Sequence, residues 1–127
     1  MQDKQVFEYA RIYVMPRVER GEHINVGVIL YSRSFQFLKM KYFIDSDRLL
    51  AFYPKIDLEQ IKQYLQSFEW IASGDKQGGT MAEMDKASRF RWLTATRSTI
   101  IQVSQVHPGF CDDPEKALNK LFEELVL

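Results

Sequence analysis

The stretch "INVGVILY", residues 24–31, is the strongest constraint on what this chain can fold into. Ile24, Val26, Val28 and Leu30 alternate with Asn25, Gly27, Ile29 and Tyr31, a period-2 pattern that predicts a strand with the first set in the core. Ser32, Arg33 and Ser34 make a short turn into "FQFLKMKYF", residues 35–43, so the two segments read as a hairpin. Such a pair needs further strands to be stable. Residues 5–15, "QVFEYARIYVM", supply one, with Val6, Ala10, Ile12 and Val14 on one face and Phe7, Tyr9, Tyr13 and Met15 on the other, ended by Pro16.

Helical signals follow. "DSDRLLAFYP" predicts a short helix capped by Asp45 or Ser46 and stopped by Pro54. Asp57 as N-cap, Gln60 three residues on, an apolar stripe at Leu58, Ile61, Leu65, Phe68 and Ala72, and Gly74 at the end predict a longer one. "GDKQGGT" reads as a flexible loop, and residues 81–93 as a short helix. "STIIQVSQV", 98–106, predicts a fourth strand, with the prolyl-glycyl pair of "HPGF" turning the chain out of it. The last helix begins at Asp112 or Asp113, with Pro114 in its first turn and an apolar face at Ala117, Leu118, Leu121, Phe122 and Leu125. This order predicts one α+β domain over residues 1–127: a mainly antiparallel sheet of about four strands with helices packed on one face. A hydrophobic fraction of 46% is enough to fill that core without a metal or a disulfide, and Cys111 is the only cysteine. A single thiol favours a reducing compartment, and no basic leader or long apolar run is visible, so a cytoplasmic location is expected.

The formal net charge is zero, which disfavours nucleic acid as a partner, but the charges are segregated. Residues 86–111 contain no Asp or Glu and carry Lys86, Arg89, Arg91 and Arg97, whereas residues 49–85 and 112–127 are each net acidic. Two constellations stand out. The loop from Pro16 to His23 is longer than chain reversal requires and holds Arg17, Glu19, Arg20 and Glu22, with Gly21 free to adopt a left-handed conformation and Asn25 just beyond. Solvated ion pairs explain these charges equally well. "RFRWLTATRS", residues 89–98, puts Arg89, Arg91 and Arg97 beside Trp92, Thr94, Thr96 and Ser98, a set suited to a phosphate or carboxylate, or to single-stranded nucleic acid. The same arginines equally serve to anchor helices to acidic neighbours.

"HPGFCDDP" places Cys111 before a helix N-terminus with His107 nearby as a base, but Asp112 and Asp113 oppose a thiolate. Asp45 with Asp47, and Glu123 with Glu124, fall at helix ends, where capping and solvation explain them. No Walker loop, Rossmann fingerprint or nucleophile elbow is present, no cofactor is called for, and two histidines with one cysteine lack paired metal-ligand spacing.

The motifs "PRVERGEHINVGVILY", "RFRWLTATRSTIIQ" and "VHPGFCDDPEKALNKLFEELV" resemble a bacterial family catalogued as domain of unknown function 3037, over nearly the whole chain. Thr96 departs from the proline expected in its "TAxRS" segment. The resemblance implies no activity. It implies a gene neighbourhood shared with a HipA-like kinase-fold protein, and so a partner or regulator in a toxin–antitoxin-like or signalling pair. The leading expectation is a non-enzymatic protein-binding module. In it Arg17, Glu19, Arg20 and Asn25 join Arg89, Arg91, Trp92, Arg97 and Ser98 on one side of the sheet, facing an acidic or phosphorylated surface. The alternative is a small enzyme acting on a phosphoester or nucleotide through the arginines, with His107 as acid or base.

Overall fold

In the computed structural model, which describes residues 3–127, the hairpin forms as expected: β2 (Ile24–Ser32) pairs antiparallel with β3 (Phe37–Tyr42), with Tyr31 opposite Leu38 and Gly27 opposite Tyr42. β1 (Gln5–Val14) pairs antiparallel with the other side of β2, placing Ala10 opposite Ile29. The register slips once. Ile12 faces Gly27 but Tyr13 faces Asn25, so Val26 is the extra residue of a β-bulge. Gly27 leaves no room for a side chain there, since a Cβ would sit 2.9 Å from the Lys41 carbonyl oxygen. The bulge inverts the phase of β2, so Val26 shares one core with Ile29 and Tyr31, while Val28 and Leu30 join another. The alternation read from the sequence, with Ile24, Val26, Val28 and Leu30 together, therefore holds only on each side of the bulge.

The two cores lie on opposite faces of the sheet. On the first, α1 (Ser46–Phe52), α2 (Leu58–Ser73) and α3 (Lys86–Leu93) bring Leu49, Ile61, Leu65, Phe68, Phe90 and Leu93 against Ala10, Ile12 and Val14. On the second, α4 (Pro114–Leu125) sets Leu118 and Phe122 against Phe7, Val28 and Leu30. The α+β class and the antiparallel sheet stand, but helices cover both faces rather than one. The cause is in β2, which is apolar on both sides and is nearly all buried. Lys39 holds α4 from the flank through a 2.7 Å ion pair with Glu115, and the Lys41 ammonium donates to Asn119 at 3.0 Å.

The helix caps follow the sequence. Asp45, Asp57 and Asp113 each accept a backbone N–H in the first turn of α1, α2 and α4, and Gly74 ends α2 in the left-handed region at φ 76°. The segment read as a flexible loop is instead a 3-10 turn structure, Lys76–Glu83, kinked at Gly79 and started by Asp75, whose carboxylate accepts from the Gln77 N–H.

The fourth strand departs most from expectation. Of residues 98–106 only β4 (Ile101–Val103) is a strand, and a further strand, β5 (His107–Cys111), stands where the turn was expected, both paired antiparallel with β1. The sheet is therefore five-stranded, with β4 and β5 sharing one edge. Ser104 carries the junction. Its hydroxyl accepts the Arg11 N–H at 2.9 Å, and its own N–H donates to the Arg11 carbonyl at 2.9 Å. Pro108 and Gly109 are strand residues, not a turn. Met15 donates to the Ile100 carbonyl, which fixes the odd-numbered residues of β1 as those bonded to this edge. Pro108 is opposite Glu8, so its missing N–H points away from the sheet and costs no ladder bond. Gly109 is opposite Phe7, and a Cβ on it would lie 2.4 Å from the ring Cζ. Gly109→Ala should therefore push Phe7 out of its packing and lower stability by about 2 kcal/mol in urea unfolding. A loss under about 0.5 kcal/mol would mean that the ring is not seated on this glycine.

Candidate functional site: a groove between α3 and the β1–β5 edge

The charged loop after β1 is closed on itself. Arg17 Nε donates to Glu19 Oε1 at 2.7 Å, Arg20 pairs with Glu22, and the Arg17 carbonyl accepts the N–H groups of Arg20 and Gly21. Glu19 is held below the usual carboxylate range by a backbone hydrogen bond first and by Arg17 second. The loop faces Phe52 and Tyr53 at the end of α1 across a cleft of about 220 Å³. Asn25 lies beyond it with its amide already engaged, accepting from Arg11 Nη1 at 2.9 Å and donating to the Leu125 carbonyl at 3.0 Å. It ties the bulge to the C-terminal end of α4.

Two of the three later arginines also hold the fold together. Arg89 is 7% exposed, and its Nη1 donates to the carbonyls of Ile71 and Ala72, both at 3.0 Å, closing the C-terminal end of α2. Arg97 donates to the carbonyls of Leu93 and Trp92, both at 2.8 Å, and its guanidinium lies over the rings of Phe68 and Trp92. Burial pulls its pKa down. Both arginines neutralise helix C-termini, whose carbonyls carry partial negative charge. Ser98 is exposed in the irregular segment between α3 and β4.

Arg91 differs. It is exposed, and among the described residues it makes no ion pair. It stands over two contiguous hollows of about 630 and 200 Å³ that share Glu8, Tyr31 and Ala87 with it. The helices cover this face of the sheet from Ala10 onward, so Val6 and Glu8 of β1 and Pro108 of β5 are left as an open floor. Phe110, opposite Val6 in the ladder, is 71% exposed and Val6 45%. Arg33 and Asp85 stand at the rim. The Asp85 carboxyl sits below its ordinary range, chiefly through the Ser88 N–H, with Arg91 adding to it. The result is a floor in which Val6 and Pro108 flank the Glu8 carboxylate, with Arg91, Arg33 and Asp85 around it.

The proposed single face does not assemble. Arg17 and Arg20 follow the end of β1, and Arg91 stands over its start, with Val6 and Pro16 about 33 Å apart along an extended strand. The acid–base pairing fails in the same way. His107 is opposite Tyr9, with ring centroids 5.5 Å apart, and so lies on the face away from Arg91. Cys111 is on the face of His107 but four strand residues further, about 13 Å away. It is buried, and burial first, then Asp112 and Asp113, push its thiol pKa up. Phe110, Val6, Glu8 and Arg33 were not singled out in the sequence. Phe110 reads there as part of a turn, and its exposure and that of Val6 follow from no helix packing on this face of β5, whereas Cys111 on the other face is buried with Leu118 and Phe122.

These features define an α+β domain with both sheet faces covered and one open corner. The chain belongs to the family described as "Protein of unknown function (DUF3037)", whose family model matches residues 9–126. No curated protein and no solved structure matches it. Among the described residues, no helix is long and apolar enough to cross a membrane, and no group of His, Cys, Asp and Glu side chains is placed to hold a metal ion.

Proposed function

We propose that the chain is a protein-binding module whose partner docks in the groove between α3 and the β1–β5 edge. The observation that carries this reading is the contrast among the cations: Arg17 and Arg20 are paired within their own loop and Arg89 and Arg97 bond helix carbonyls, whereas Arg91 makes no ion pair and overlooks Val6, Glu8 and Pro108 with the exposed Phe110 beside them. Interfaces place their energy in a few aromatic and arginine anchors within such surroundings, and Phe110 and Arg91 are residues of that kind. The HipA-like kinase-fold protein implied by the gene neighbourhood is the first partner to test.

Co-expression with that protein should yield a complex that survives purification. Phe110→Asp or Arg91→Glu should weaken it by about tenfold or more in a titration, as expected for loss of an interface anchor. Arg17→Glu combined with Arg20→Glu should leave it unchanged. Absence of a complex would sink the partner, and a complex indifferent to both groove variants would sink the groove.

A further inference from the structure

The two edges of the sheet are built differently. The outer edge of β4 and β5 is interrupted by a one-residue register shift between Ser104 and His107 and by Pro108, two devices that discourage a further strand from adding. The β3 edge has neither. Phe43 donates to the Val26 carbonyl at 2.8 Å, which makes Phe37, Lys39 and Lys41 the residues bonded to β2. The N–H and C=O groups of Leu38, Met40 and Tyr42 therefore point off the sheet, and among the described residues nothing takes them. Three consecutive donor–acceptor pairs at strand spacing form a template for an added strand.

A groove of about 440 Å³ runs alongside, between this edge and α2. Its apolar part comes from Leu38, Met40, Trp70 and Ala72, and its charges are Glu69 on α2 and Asp75 just past it. Lys39 also borders the groove, but its ammonium is drawn away to Glu115, and that of Lys41 to Asn119 of α4. Glu69 lines the groove with Leu38 and Met40, and, second to burial, its charge also raises the Tyr42 pKa. An open strand edge beside a helix-walled groove is a known way for a domain to take an extended peptide: the backbone supplies affinity and alternate side chains supply selectivity.

We infer that β3 accepts an extended basic peptide segment as an added strand, with apolar side chains over Met40 and Trp70 and lysine or arginine side chains facing Glu69 and Asp75. The acidic wall decides the occupant, because an acidic segment would meet two carboxylates with no free cation on that side. This surface is separate from the groove beside α3, so the two proposals stand or fall independently.

The probe is a synthetic heptapeptide in which lysine, valine, valine and lysine alternate with threonines. It should bind saturably and slow amide exchange at Leu38, Met40 and Tyr42, which in the free protein exchange faster than Lys39 and Lys41. A copy N-methylated on the bonding edge of its backbone, or one with glutamates in place of the lysines, should bind about tenfold more weakly. Glu69→Lys, an exposed change that leaves the core untouched, should reverse the preference between lysine and glutamate versions. Arg91→Glu should have no effect. No binding, binding without protection of those three amides, or indifference to N-methylation would each overturn the inference.

Discussion

Leu118→Ala should lower the free energy of unfolding by about 3 kcal/mol, as much as Leu65→Ala on the other side of the sheet. Both side chains are fully buried, Leu65 among the residues under α2 and Leu118 in the smaller cluster with Phe7, Val28, Leu30 and Phe122. Each truncation removes the transfer free energy of the lost methyl groups and leaves a cavity that a close-packed neighbourhood fills only in part. The comparison is informative because the sequence suggests one covered face. If α4 were only laid along the edge, Leu118→Ala would cost well under about 1 kcal/mol while Leu65→Ala kept its full effect. Equal losses in urea unfolding, with an unchanged denaturant slope, would establish both layers as parts of one cooperative unit.

Arg89→Ala should cost a similar amount, about 3 kcal/mol, for a different reason. The guanidinium closes the end of α2 by donating to the Ile71 and Ala72 carbonyls, and its Nη1 approaches to within 3.1 Å of where a Cβ on Gly74 would be. Truncation leaves the buried Ala72 carbonyl without a donor and the Ile71 carbonyl with only the Gly74 N–H, and it opens a void between α2 and α3. Arg89→Lys keeps the charge but not the reach or the planar fork, so it should recover only part of the loss. Arg91→Ala, two residues away in sequence but exposed, should change stability by less than about 0.5 kcal/mol. Equal effects of the two alanine variants would contradict the division between an arginine that holds the fold and one that is free to meet a partner.

What the sequence disclosed and what it hid divide along physical lines. The caps at Asp57 and Asp113 and the stop at Gly74 act over a few residues, and they appear where the local pattern places them. The hairpin is equally local. The β5 strand is not: Pro108 and Gly109 carry the strongest local signals for a turn, and they are overruled by pairing with Glu8 and Phe7 about a hundred positions earlier. The phase of β2 is hidden for a related reason. Alternation predicts the facing of a strand only while its register is unbroken, and the one sign of a break was Gly27. Of the site, Arg91 and its neighbourhood were visible as a basic segment, but nothing in the pattern separates it from Arg89 and Arg97. That distinction depends on where the C-terminal ends of α2 and α3 lie in space.

The pairing of β1 with β4 and β5 also sets the order of events on the ribosome. β2 is made directly after β1, but the other side of β1 has no partner until synthesis reaches residue 101 and is not fully paired until residue 111. At ordinary elongation rates that interval is on the order of ten seconds. Throughout it, the nascent hairpins expose the N–H and C=O groups of a long apolar strand. Residues 101–111 therefore act as the protective cover of β1, and a ribosome stalled before that point would release a species prone to pair with other chains.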